Sequence, residues 1–239
     1  MEGFTYFNIF ETKGIEYLAI LAFFALLIPF WIILNKQVKI TRQIKSSLGV
    51  LSTNILRIPQ GLFYNRNHTW AFLERSGDAV VGLDDLLVHI TGEVKFSYLK
   101  NPGEIINKGD LLTEIDQNGK LLQIFSPISG KILNTNSLLK ENSEVINEDP
   151  YGKGWIYKIT PSNWIAETNS YFLAEEATNR LNNELERFRD FLAISMEKYA
   201  PEPSLVRLQD GGELIDHTLS HMPGEIWLDF QKEFLNHSH

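Results

Sequence analysis

The chain has 239 residues, of which 44% are apolar and 22% charged, with a formal net charge of −8 and no cysteine. This is the composition of one or two ordinary globular domains. The missing cysteines exclude disulfides, thiolate metal sites and a cysteine nucleophile, and the acidic balance argues against a nucleic-acid partner. The charge is unevenly spread. Lys36, Lys39, Arg42, Lys45 and Arg57 fall within residues 36–60 with no acid among them, and the remainder beyond them carries about −11.

The first element is Tyr17–Leu34, eighteen residues without a charge. A bilayer core takes about 20 helical residues, with about 17 as the short limit, so this run reads as a transmembrane helix, kinked at Pro29. A buried core helix or a signal peptide are the blander readings. An acidic leader and the absence of a small-residue cleavage site count against a signal peptide. More basic residues follow the run than precede it, which puts residues 1–16 outside and the main domain in the cytoplasm, as a single-pass protein of the cell membrane. Residues 35–61 then form a basic juxtamembrane linker.

From Leu62 the pattern changes to short β-rich runs separated by turn chemistry. Ala71–Glu74 and Ala79–Leu83 flank Ser76-Gly77-Asp78. Val94–Leu99 ends at Asn101-Pro102-Gly103. Leu111–Ile115 and Leu121–Phe125 flank Asn118-Gly119, the pair a type I′ hairpin turn favours because both central residues need φ > 0. Lys131–Leu133 and Trp155–Ile159 complete the strands, and Asp84–His89 is a short helix. There is an internal echo: Gly92-Glu93-Val94 precedes Ile105-Ile106 much as Gly130-Lys131-Ile132 precedes Val145-Ile146, as two similar half-sheets would. After Pro161 the pattern turns helical. Between Phe172 and Tyr199, Ala177, Leu181, Leu185, Phe188 and Leu192 fall on one face. Pro201 and Pro203 end that helix, and Glu225–Leu235 reads as one more helix in the 200–239 tail.

Chemistry-bearing motifs are few. His217 and His221, with Glu213 and Asp216 near, have a spacing common on polar helix faces and do not by themselves make a metal site. No phosphate loop, nucleophile elbow or paired-carboxylate motif is present, and no catalytic residue is assigned.

One set of residues stands in a recognisable order. Tyr64, His68 and Trp70 come first, followed by Val81-Gly82-Leu83 with Asp85. Gly92-Glu93-Val94-Lys95-Phe96, Gly103 and Gly109-Asp110 follow. Ser126-Pro127-Ile128-Ser129-Gly130 and the run Asn147-Glu148-Asp149-Pro150-Tyr151-Gly152-Lys153-Gly154-Trp155 lead to Ala174-Glu175-Glu176-Ala177. In order and spacing these resemble the glycine-cleavage H-protein family, a lipoyl carrier whose swinging arm hangs from one lysine. The resemblance implies a mainly β fold over residues 62–170, a lipoyl-domain-like flattened β sandwich or hybrid barrel, followed by the C-terminal α-helix at 171–199. It implies no enzyme activity of its own. The family's lysine lies ten residues after the glycine matching Gly109 and eight before the proline matching Pro127, and both counts land on Gly119.

Lys120 is one position late, with Asp116 keeping the upstream acid, and a one-residue slip in a hairpin moves a side chain to the other face. Two readings stand. In the first, the arm is lost, no cofactor is carried, and the domain is a docking or scaffold subunit of a membrane-associated, redox-type complex. Its docking candidates are then Asp116, Asn118 and Gly119 at the hairpin and Leu181, Leu185 and Phe188 on the helix. In the second, lipoate on Lys120 shuttles a one-carbon, acyl or electron load between partner enzymes. Neither reading needs a direct small-molecule substrate.

Overall fold

The computed structural model describes residues 17–18, 20–31, 51, 55–199 and 214–236. The chain divides into two compact units, Met1–Leu48 and Gly49–His239. In the first, residues 17–18 and 20–31 are helical (α1), and every one of these residues is exposed, the large apolar ones from Leu27 at 41% to Leu26 at 74%. Among the described residues no helix is long and apolar enough to cross a membrane. The end of the expected span, residues 32–34, lies outside the described residues, as does most of the basic linker.

The second unit is two antiparallel sheets. Its strands are β1 (Phe63–Tyr64), β2 (Thr69–Leu73), β3 (Ala79–Leu83), β4 (Lys95–Tyr98), β5 (Ile105–Ile106), β6 (Leu111–Gln117), β7 (Lys120–Phe125), β8 (Gly130–Thr135) and β9 (Tyr157–Pro161). The larger sheet has the order β1-β2-β3-β9-β8-β5, and the smaller β4-β6-β7. Ala71, Val81, Ile159, Ile132 and Ile106 from the first and Leu112, Ile115, Leu122 and Ile124 from the second share one buried cluster. The expected flattened β arrangement is therefore present, and alternate residues along these strands supply its core.

The Asn118-Gly119 turn forms as its sequence demands: φ is 53° at Asn118 and 84° at Gly119. Gln117 pairs with Lys120, and Gly119 N–H donates to Asp116 Oδ1 at 3.0 Å. The internal echo, by contrast, does not yield two like half-sheets. Ile105–Ile106 is a strand paired with β8, whereas Val145–Glu148 is a helical turn (α4) that follows a similar turn at Leu138–Glu141 (α3). Both segments bury one isoleucine, Ile106 at 0% and Ile146 at 1%, so the echo preserves a core contact and not a backbone conformation.

Two other helices hold the β unit together. The expected short helix is α2 (Asp85–Thr91), N-capped by Asp84, whose Oδ1 accepts from Leu87 N–H at 2.9 Å. α5 (Trp164–Thr168) places Glu167 against Ser129 N–H and Oγ. The long helix α6 (Ala174–Tyr199) buries Ala177, Leu181, Leu185, Phe188, Phe191, Leu192 and Met196. Its partner is the C-terminal segment. A 3-10 turn (Thr218–His221) leads to α7 (Gly224–Phe230), which runs on through a π-helical turn, Gln231–Leu235. Phe188 and Phe191 pack edge-on against Phe230 and Phe234, which themselves stack at 4.7 Å. Leu181, Leu185 and Phe188, named above as docking candidates, are at most 1% exposed. They belong to the chain's own core and offer no surface to a partner.

Candidate functional site

The run from Asn147 to Trp155 builds a rigid corner. Asp149 accepts from Gly152 N–H and Lys153 N–H at 2.9 Å each, closing the turn over its own carboxylate. A Cβ at Gly152 would stand 2.3 Å from Asp149 Oδ2, and one at Gly154 2.8 Å from Asp149 O, so neither position admits a side chain. The Tyr151 hydroxyl donates to Arg57 O and accepts from Asp85 N–H, tying the corner to the start of α2. Burial pushes that phenol far above its usual pKa, with Asp84 adding to the rise, so it stays a neutral donor.

His68 and Trp70 serve the same frame. His68 is 1% exposed, its Nδ1 is 2.9 Å from Asp84 Oδ2, and Glu184 Oε2 lies 3.7 Å from Nε2. Burial works against charge on this imidazole, but Asp84 and Glu184 outweigh it and the pKa is raised. The Trp70 indole donates to Leu83 O at 2.8 Å and lies flat over Gly82, where a Cβ would meet the ring at 2.6 Å. These groups are structural and carry no chemistry open to a substrate.

At the hairpin tip, position 119 has no side chain and Lys120 is partly buried. Lys120 Nζ donates to Ser220 O at 2.6 Å and to Met222 O at 3.1 Å, and it sits 5.1 Å from the centre of the Trp227 ring. Desolvation lowers its pKa. The ammonium is thus clasped by the backbone of the C-terminal segment on one side and an indole face on the other. Three residues further along, the outer edge of β7 is closed in the same way. Gln231 Oε1 accepts from Gln123 N–H at 2.7 Å and Gln231 Nε2 donates to Gln123 O at 3.2 Å. One carboxamide stands in for a neighbouring strand at an edge that would otherwise be open to pairing. Beside the tip, Gly119, Lys120, Leu121, Gly224, Trp227 and Leu228 line a groove of about 460 Å³.

A lipoyl arm requires an accessible amine at the tip. Position 119 supplies none, and the neighbouring amine donates to two carbonyls. Asp116 and Asn118 remain at the tip, Asp116 as the acceptor that closes the turn and Asn118 exposed. Sequence reasoning missed Ser220, Met222, Trp227 and Gln231. The usable signal was the stripe Trp227, Phe230, Phe234 at spacings of three and four. Asp216 Oδ1 lies 2.8 Å from His89 Nδ1, and His217 N–H donates to His89 O; Glu213 lies outside the described residues.

The family model and the sequence relatives agree with this frame. The glycine cleavage H-protein family model matches residues 62–184. A probable glycine cleavage system H protein of Thermococcus gammatolerans is 34% identical over 119 residues, covering 50% of this chain and 88% of that protein. The glycine cleavage system H protein of Psychrobacter cryohalolentis is 35% identical over 124 residues, covering 52% and 98%. The crystal structure of the H protein from Mycobacterium marinum is 25% identical, with a TM-score of 0.46, covering 52% of this chain and 98% of that one.

Proposed function

The chain belongs to the glycine cleavage H-protein family, and we propose that within it this protein is a membrane-anchored, non-catalytic docking subunit whose arm site has become an internal fastening point. The observation that carries this reading is the clasp on Lys120. The family position for the arm is a glycine at φ 84°, and the adjacent lysine is bound to Ser220 O and Met222 O. A lysine so held contributes stability, and the corner and the His68–Asp84 pair are built from residues of the family's motifs. A shape retained without its arm suits recognition by a protein partner, as in a membrane-associated redox assembly.

Support for the anchor comes from α1 and the residues that follow it. An apolar helix with every described side chain exposed is far more apolar surface than a soluble monomer leaves uncovered. The basic residues 36–45 favour a cytoplasmic side for the main domain. Because the chain has no cysteine, single cysteines introduced before and after α1 report topology directly by reaction with an impermeant maleimide. Labelling of both from the same face of sealed membranes refutes the single-pass arrangement.

The competing reading, lipoate on Lys120, draws on family membership and on a lysine only one residue from the arm position. Intact mass of the protein from its native membranes, with peptide mapping over residues 111–131, separates the two. An unmodified Lys120 in cells whose other lipoyl proteins are modified is the expected result. A lipoyl adduct there overturns the docking reading. Lys120→Arg gives a second discrimination, since a docking subunit keeps its co-purifying partners and a carrier loses function.

A further inference from the structure

Beside α6, Arg66, Phe172, Asn179, Arg180, Asn183 and Arg187 line a cleft of about 590 Å³. In a chain of net charge −8, three arginines at one cleft are an unusual local excess of positive charge. Among the described residues the acids on its walls are Glu176 and Glu184, so the described lining carries a net +1. Glu184 already pairs with Arg187 at 3.2 Å and approaches Arg180 at 3.7 Å, leaving its charge largely spoken for.

Arg180 is the centre of this arrangement. Its side chain is 10% exposed. Its Nη2 donates to Arg66 O at 2.7 Å, and its guanidinium lies 5.0 Å over the Phe172 ring. Its Nη1 is buried and has no hydrogen-bond partner among the described residues. A buried donor on a charged group left without an acceptor costs several times what an ordinary hydrogen bond contributes, and such a group in a cleft calls for an acceptor from outside the chain. Burial lowers the pKa of this guanidinium, Glu184 and Asp84 offset that in part, and Arg66 and Arg187 lower it further. The last pair marks the three cations as close enough to repel one another.

We propose that this cleft binds a small oxyanion, a carboxylate or phosphate group carried on a small molecule, with Arg180 as its principal donor and Arg66 at the rim. Planar guanidinium forks match both groups in two-point contact, which a lysine does not. The Asn179 and Asn183 amides, both exposed on the same helix face, supply further donors, and the Phe172 ring forms an apolar wall. The volume falls in the range of small-molecule sites, roughly 300–1,000 Å³. The site is independent of the docking reading: it shares no residue with the hairpin tip, and either stands if the other fails.

The test is isothermal titration calorimetry on the full chain in detergent, with inorganic phosphate and with acetate as separate probes at fixed ionic strength. Saturable one-to-one binding of at least one probe is expected, phosphate alone indicating a phosphoryl ligand and acetate a carboxylate. Arg180→Gln should weaken it by roughly tenfold or more, the loss of one charge-assisted contact. Arg66→Gln, at an exposed position, should weaken it several-fold and keeps the test decisive where Arg180→Gln fails to fold. Arg189→Gln, on α6 but outside the cleft, should bind as the wild type. Absence of saturable binding for both probes overturns the proposal. Binding that survives Arg66→Gln and Arg180→Gln unchanged does so equally.

Discussion

Replacing Lys120 by methionine isolates the clasp at the hairpin tip, because methionine keeps most of the length of the unbranched side chain and loses the ammonium group. The change removes two donors to the Ser220 and Met222 carbonyls and the cation over Trp227. A hydrogen bond to a charged group contributes about 1.5–3 kcal/mol net, and an exposed cation–π contact about 0.5–1. Lys120 is only partly buried, so water competes for both the ammonium and the carbonyls, and solvent screening reduces the sum to about 2 kcal/mol. With a urea slope of about 2 kcal/mol per molar, the midpoint of unfolding should fall by about 1 M. In the wild type, a small amine-acylating reagent should modify Lys120 more slowly than the exposed Lys153, and the two rates should converge in urea. A midpoint shift below about 0.3 M, together with equal native labelling rates, would refute the clasp.

Three further outcomes test other parts of the frame. Gly82→Ala drives a methyl to 2.6 Å from the Trp70 ring, so overpacking should cost about 1–3 kcal/mol and shift the tryptophan emission to the red, readable in one thermal melt. Phe230→Ala empties the centre of the aromatic stack and should cost about 3–5 kcal/mol by denaturant unfolding. His89 is the pH-sensitive joint between α2 and the C-terminal segment. Burial opposes its charge, yet Asp216 and Asp85 raise its pKa from 6.5 to about 9. The folded value lies above the unfolded one, so this stabilisation is complete below pH 6.5 and is lost as pH rises through about 9. Stability measured from pH 6 to 10 should therefore fall by on the order of 2–3 kcal/mol, and Asp216→Asn should flatten that slope.

How much was legible in the chain depended on whether the deciding interaction was local. The Asn118-Gly119 turn could be read because its residues set their own backbone angles. The order of matched motifs located the β unit because Gly152 and Gly154 leave no room for a side chain beside Asp149, and Gly82 none beside Trp70. Strand ends drifted by a residue or two, as at β4, which begins at Lys95 and ends at Tyr98. The repeated isoleucine pattern misled, since Ile106 and Ile146 are both buried, one on a strand and the other on a helical turn. The fate of Lys120 could not be read at all. Its partners are the carbonyl oxygens of Ser220 and Met222, a hundred residues away, and backbone acceptors leave no mark in the choice of side chain.

The clasp is a fixed feature of the fold and not a lid. The C-terminal segment that supplies it buries Ile226, Trp227, Phe230, Phe234 and Leu235, each at 1% exposure or less, in the same cluster as the α6 stripe. Trp227 also donates to Leu219 O at 2.8 Å, and Arg187 to Glu233 O. Burial of five such side chains is worth roughly 8–15 kcal/mol at about 1.5–3 kcal/mol each, comparable to the whole stability of an ordinary domain. Lifting the segment from the hairpin while the sheets stay folded would forfeit most of that, and no single ligand contact at the tip could repay it. Opening should therefore occur only with global unfolding. Native-state hydrogen exchange gives the measure: the amides of residues 226–235 should exchange with the same free energy as those of β6 and β7. Exchange several kcal/mol easier in the segment would show a separately opening lid, and would return Lys120 to the pool of amines a modifying enzyme can reach.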